Sequence, residues 1–212
     1  MEITWYGHSC FRLKGRGAAV VTDPYGPELG RELPKLSAGI LTLSHNHANH
    51  CYTKGFRGSP YIISGPGEYE VDGVFVFGVG TYHDAKNGRE YGKNTAYMIR
   101  FEDLTICHLG DLGHAPAQEQ IEQFDGIDVL LVPVGGKTAL NGSQAAEVVA
   151  MLEPGIVIPM HYKIPGLNTE LETERRFLKE MGVETPEKRA SLEISSKPES
   201  EETHVILLEP CQ

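Results

Sequence analysis

The segment Ser44-His45-Asn46-His47-Ala48-Asn49-His50 places three histidines within six positions, directly after the apolar run Ile40-Leu41-Thr42-Leu43. A neutral imidazole is the commonest metal ligand in proteins. If a helical turn starts here, His47 and His50 are at i and i+3 and share a face, and His45 aims at the same point from just before that turn. The competing reading is a solvated polar loop that is rich in histidine. Three further candidates each follow an apolar run: His83 in Gly80-Thr81-Tyr82-His83-Asp84, Asp111 in His108-Leu109-Gly110-Asp111, and His161 in Ile158-Pro159-Met160-His161-Tyr162. Strand ends that open into loops are where sheet proteins place function, and separate strands can bring such residues together. Three or four N/O ligands with a position left for water is the arrangement of a catalytic zinc, and His/Asp sets also accept Mn, Fe or Ni.

Other polar residues near these positions carry two readings each. His8 is either a group beside the site or a satisfied histidine at a strand end. Asp84 either orients the His83 imidazole, as carboxylates behind metal ligands do, or is an exposed charge. His108 falls at a buried, hydrogen-bonded position by strand alternation, His114 edges a cleft, and His204 is structural. Val134-Gly135-Gly136-Lys137-Thr138 offers backbone N–H groups and a lysine to an anion, or is a surface turn. Tyr162 could reach a cleft as an oxyanion donor. The P-loop spacing and the G-x-S-x-G elbow are both absent, which excludes those phosphate-binding and serine-hydrolase devices. Cys10 and Cys107 sit in apolar runs and are core residues. Cys51 follows His50 and is a neighbour of the site rather than a ligand.

The elements that must position these groups can be read from periodicity. Residues 3–6, 10–13, 18–22, 40–43, 61–63, 74–77, 95–101 and 104–109 are short strand-like runs, with a hairpin at Phe101-Glu102-Asp103-Leu104. Gly65-Pro66-Gly67 turns into another strand. Residues 128–133 and 156–158 are continuously apolar, as expected of strands buried on both faces. Ser143 is a candidate N-cap, and Ala145, Val148, Val149 and Leu152 form one helical face. Thr169-Glu170-Leu171-Glu172 has the capping-box pattern and predicts a helix ending at Gly182. The polar stretch 184–202 reads as a surface excursion with a turn over 198–203, and His204 begins a last strand. Strands dominate early and strand–helix alternation dominates late, so sheets flanked by helices are expected.

Composition narrows the function classes. The 212 residues carry 19 Lys+Arg against 29 Asp+Glu, a formal charge of −10, with nine His and four Cys. Phosphate-backbone binding relies on clustered Lys and Arg, so a duplex nucleic acid is not an expected partner. The longest apolar runs are too short for a membrane span, and no basic-then-apolar leader opens the chain, which predicts a cytoplasmic protein with reduced thiols. A length of this order suits one domain, 1–212. Oligomeric state leaves no signature in the residues.

His45-Asn46-His47-Ala48-Asn49-His50 resembles the H-x-H-x-D-H motif of the metallo-β-lactamase superfamily. Trp5-Tyr6-Gly7-His8-Ser9-Cys10-Phe11 and Asp23-Pro24 also resemble its small bacterial hydrolases, a branch that includes ascorbate-6-phosphate lactonase-like proteins. His83, Asp111 and His161 match the later motifs in order. The resemblance implies an α+β fold, an αββα four-layer sandwich of two mixed sheets in a single domain, with one or two metal ions between the sheets. It implies His45, His47 and His83 for a first ion, position 49, His50 and His161 for a second, and Asp111 as a bridge. Asp111, Asn49 and His8 become the candidate catalytic residues. The implied activity is zinc-dependent hydrolysis by a metal-bound hydroxide on a small ester, lactone, amide or phosphodiester. One departure stands out. The family's aspartate is Asn49 here, a neutral and weaker ligand, so a weaker second ion is expected. A metal-binding member with little turnover, acting through partners, is the alternative.

Overall fold

Each apolar run becomes a strand where its alternate side chains have an apolar layer to face, and glycine or polar turns end it. The computed structural model describes residues 1–198, 200 and 202–211, so part of the expected 198–203 turn, at Glu199 and Glu201, lies outside the described residues. In chain order the first elements are β1 (Glu2–Gly7), β2 (Cys10–Lys14), β3 (Ala19–Thr22), β4 (Ile40–Leu43), β5 (Tyr61–Ser64), β6 (Gly67–Val71), β7 (Val74–Tyr82), β8 (Lys93–Phe101) and β9 (Leu104–His108). Then come α1 (Gln118–Ile121), β10 (Val129–Pro133), α2 (Gly142–Leu152), β11 (Ile156–Met160), α3 (Arg175–Glu180), β12 (Glu187–Arg189), β13 (Leu192–Glu193) and β14 (His204–Leu208).

The strands form two mixed sheets. One has six strands in the order β13-β1-β2-β3-β4-β5, and the other eight in the order β12-β14-β11-β10-β9-β8-β7-β6. In the smaller sheet, neighbours along a strand separate cleanly. Phe11, Val20 and Ile40 point into the core shared with the larger sheet. Cys10, Val21 and Leu41 point the other way, against Tyr25, Leu29 and Leu36. That outer layer is coil with a short 3₁₀ turn at Pro27–Leu29, while α2 lays Ala145, Val148, Val149 and Leu152 against the larger sheet. The architecture is the expected α+β sandwich of two mixed sheets.

Strand direction positions the site. β3 and β4 are parallel, as are β9, β10 and β11. β1 and β7 are each two antiparallel steps away from β3 and β9, so they run the same way as those strands. The C-terminal ends of these strands therefore emerge at one edge of each sheet, where open sheets bind ligands. The β8–β9 hairpin is tight because Glu102 and Asp103 both take positive φ, 52° and 63°, the conformation of a two-residue primed turn.

Three local expectations are corrected. The cap of α2 is Asn141, not Ser143: its side chain accepts from the N–H groups of Ser143 and Gln144, and Gln144 reaches back to the Asn141 N–H. Ser143 instead links α2 to α3 through Arg176 and Glu180. Residues 169–172 are not helical, because the Glu172 N–H donates to Gly135 O and its carbonyl accepts from Lys163 N–H. The helix starts only at Arg175 and stops before Gly182, which takes φ 69°. The polar stretch 184–202 contains β12 and β13, which join the two sheets at β14 and β1. Short edge strands with polar side chains lack the alternating signal that marks a half-buried strand.

Candidate metal centre

Every candidate ligand follows a strand at the shared edge. Asp23 follows β3, the His45–His50 segment follows β4, His83 follows β7, Asp111 follows β9 and His161 follows β11, while His8 lies between β1 and β2. Three of these positions hold left-handed backbone, His8 at φ 52°, Asp23 at 38° and His161 at 51°. Non-glycine residues adopt such angles where the surrounding structure imposes them. Glycines make the crowding possible. A Cβ at Gly110 (φ 58°) would collide with Asn94 Oδ1 and Ser44, and one at Gly135 with the carbonyl of His161.

Asp111 is the hub. Its Oδ2 lies 3.2 Å from His50 Nε2, 3.1 Å from His83 Nε2 and 3.2 Å from His161 Nε2, and all four residues are buried. The Asp111 N–H donates to Asn94 Oδ1, whose amide in turn donates to Thr81 Oγ1 and Leu109 O. The half-buried His45 completes a triangle with His83 and Asp111, and His8 forms another with His50 and His161, their ligand atoms lying within 4.8 Å of one another in each set.

Groups behind the cluster decide which nitrogen each histidine presents. Asp23 Oδ2 accepts from His50 Nδ1 at 2.8 Å and from the Ser44 hydroxyl, and Oδ1 accepts from Ser44 N–H at 2.7 Å. With its proton committed to Asp23, Ser44 Oγ accepts from His45 Nδ1 at 2.9 Å. His83 Nδ1 donates to Thr138 O at 2.7 Å. These bonds assign the proton to Nδ1 and turn Nε2 of His45, His50 and His83 inward, as carboxylates and carbonyls behind metal ligands do. Asp23 thus orients two imidazoles, His50 directly and His45 through Ser44; its place after an apolar run marks a strand end but not this role.

Burial and charge act on the same groups. Burial opposes the charge on His50, but Asp111 and Asp23 outweigh it and push its pKa up to about 10. Burial likewise opposes charge on His83, and Asp111 raises its pKa. Burial drives His45 down to about 3 and His8 well below the usual histidine range, with neighbouring imidazoles adding to both. Burial alone would raise Asp111 and Asp23, yet the surrounding histidines hold both below the usual carboxylate range.

Five buried polar atoms at this one place have no hydrogen-bond partner among the described residues: His8 Nδ1, His45 Nε2, His50 Nε2, Asp111 Oδ1 and His161 Nδ1. Buried polar atoms are nearly always partnered. Three imidazole nitrogens converge on one carboxylate oxygen, and a divalent cation would use the imidazole lone pairs and the carboxylate charge together. The residues present therefore fit a metal ion.

Of the expected ligands, the structure brings together His45, His50, His83, Asp111 and His161. The segment after His45 is a turn closed by His50 N–H to His47 O at 2.8 Å. It leaves His47 exposed, its ring centroid 6.0 Å from that of His45 and 6.4 Å from that of His50. His47 Nδ1 contacts Asn49 Oδ1, and Asn49 Nδ2 lies 3.2 Å from His8 Nε2. Other candidates make contacts outside the cluster. Asp84 accepts from the N–H groups of Lys86, Gly88, Glu90 and Tyr91, which lower its pKa to about 2 against the effect of burial. His108 is buried and bonded to Ser9 O and Gly110 N–H. His114 accepts from Tyr82 N–H. Lys137 pairs with exposed Glu170, and the 134–138 loop serves the site through the Thr138 carbonyl. Tyr162 packs on Trp5 with ring centroids 5.1 Å apart.

The model of the beta-lactamase superfamily domain matches residues 2–161. A metal-dependent hydrolase of Pyrococcus abyssi is 32% identical over 164 residues, covering 75% of this chain and 72% of that protein. One from Pyrococcus horikoshii is 30% identical over the same shares. A Thermotoga maritima structure, a candidate Zn-dependent hydrolase of the metallo-beta-lactamase superfamily, is 36% identical with a TM-score of 0.80, covering 98% of this chain and 99% of that one. Fold, site and relatives define the class as metal-dependent hydrolase. The chain belongs to the beta-lactamase superfamily. No helix among the described residues is long and apolar enough to cross a membrane.

Proposed function

We propose that this chain hydrolyses a small ester, lactone, amide or phosphodiester with one or two zinc ions held by His45, His83, Asp111, His50 and His161. The observation that carries this is the convergence of five unpartnered buried polar atoms on one edge of the sandwich. Bound zinc supplies a Lewis acid and lowers the pKa of its water toward ~7. The chain's own groups do the rest. Asp23, Ser44 and Thr138 fix the imidazole tautomers. Asp111 turns one oxygen toward three imidazoles, and its other oxygen, buried without a hydrogen-bond partner, is available as a further ligand atom. Substrate reaches the site from the 45–49 turn, where His45 is half-buried and His47 exposed. Asn49, at that rim, can hydrogen-bond a polar group of the substrate.

The test is a panel of p-nitrophenyl phosphodiesters, esters and lactones, with the zinc content measured in parallel. Turnover that a chelator removes and zinc restores is the expected result. No chelator-sensitive turnover on any member, with zinc bound, would favour the alternative of a metal-binding protein that acts through partners.

A further inference from the structure

We propose that His8, rather than residue 49, completes the second metal position in this chain, together with His50, His161 and Asp111. The proposal rests on the metal-dependent reading above and deepens it. Asn49 is turned away from the role the resemblance implies: its amide oxygen meets His47 at the exposed rim, and its amide nitrogen faces His8 Nε2 at 3.2 Å. An amide NH₂ cannot coordinate a cation; with His8 binding through Nδ1, its Nε2 would carry the proton and the Asn49 amide would present its oxygen to it instead. His8, by contrast, is fully buried. Its ring centroid is 4.7 Å from that of His50 and 4.3 Å from that of His161, both edge to face. The three residues can each offer a ligand nitrogen within 4.8 Å of the others, and His8 Nδ1 is buried without a partner.

The backbone holds His8 to this task. Its carbonyl accepts from Trp5 Nε1 at 3.0 Å and from the His161 N–H at 3.0 Å. The second bond ties the backbone of residue 8 directly to that of residue 161. Both residues carry left-handed backbone, φ 52° and 51°, and their rings meet at 4.3 Å between centroids. The trade also changes charge. An imidazole in place of a carboxylate would leave Asp111 as the anionic residue of the set, with Asp23 hydrogen-bonded to His50 behind it.

The test is titration of the apo-protein with Zn²⁺ and with Co²⁺, reading stoichiometry by elemental analysis and coordination by the Co²⁺ visible spectrum. Two equivalents are expected in the wild type and in Asn49→Ala. His8→Ala is expected to keep the first and to weaken the second by at least ~10–100-fold, the loss that even residues behind a metal ligand cause. His8→Ala/Asn49→Asp should regain the second. If His8→Ala does not fold, His8→Gln, which keeps a polar group of similar reach, is expected to show the same selective loss. Two tight equivalents in either His8 variant, or loss of the second ion in Asn49→Ala, overturns the assignment. A wild type that binds one ion overturns it too. A wild type that binds none instead refutes the metal-dependent reading itself, so the two failures are distinguishable.

Discussion

Replacing Asp23 with asparagine tests the mechanism by which this chain prepares its ligands. One carboxylate accepts three hydrogen bonds, from Ser44 N–H, the Ser44 hydroxyl and His50 Nδ1, all in a fully buried position. In Asp23→Asn the amide must put its NH₂ either where Oδ1 meets the Ser44 N–H or where Oδ2 meets His50 Nδ1. Either way a donor faces a donor. If it faces His50, that imidazole must move its proton to Nε2, which blocks the nitrogen turned toward Asp111. Losing a group behind a metal ligand costs ~10–100-fold in affinity, or about 1.4–2.7 kcal/mol. A buried donor left unsatisfied costs about 1–3 kcal/mol of folding stability. At this chain length that is a fall in Tm of about 2–12 °C. Zinc competition against a chromogenic chelator reads the first effect, and thermal unfolding of the chelated protein reads the second. Histidine ¹⁵N shifts report the tautomer directly. Unchanged zinc affinity with an unchanged His50 tautomer would refute the argument that Asp23 orients this ligand.

Three further outcomes follow from the same geometry. Gly135→Ala should push a methyl group into the His161 carbonyl, costing about 1–3 kcal/mol as overpacking does and weakening zinc binding, as calorimetric unfolding and zinc titration would show; a wild-type Tm would contradict the crowding. Lys137→Ala should change stability by less than about 0.5 kcal/mol and leave turnover intact, because its partner Glu170 is exposed and surface ion pairs contribute little; a raised KM for anionic substrates would restore the anion-loop reading. The zinc-depleted protein should be most stable near pH 6.5. His50, raised to about 10, contributes stability below its unfolded value that is lost as pH rises toward 10. His45, lowered to about 3, resists the proton that the unfolded chain accepts, so stability also falls as pH drops from 6.5 toward 3. A flat Tm profile over that range would contradict both shifts.

How much of this was legible in the residues depends on the range of the forces involved. The runs 128–133 and 156–158 announced strands buried on both faces because such burial leaves no room for polar alternation, and they are β10 and β11, a parallel pair. His83, Asp111 and His161 were legible for a related reason: an ionisable residue directly after an apolar run sits at a strand end, and parallel strands share an edge. The role of Asp23 was not legible, although it obeys the same rule, because what it does depends on Ser44 and His50 arriving from β4. Local helix signals failed where the backbone had a better tertiary partner. Thr169-Glu170-Leu171-Glu172 carries a capping pattern worth about 1 kcal/mol, but pairing of Glu172 with Gly135 and Lys163 satisfies its backbone groups outside a helix.

The histidine-rich segment shows the same division most sharply. Spacing placed His45, His47 and His50 in one group, and it could not say which way a turn would aim each ring. The bond from His50 N–H to His47 O closes the turn so that His50 goes inward and His47 outward. That turn also carries Asn49 to the rim with His47. The vacated direction is filled from elsewhere in the chain, by His8, whose carbonyl is pinned to His161. The candidate ligands thus come from five strand ends, those of β1, β4, β7, β9 and β11, and His8, forty-one residues before Asn49, lies against it across the cluster.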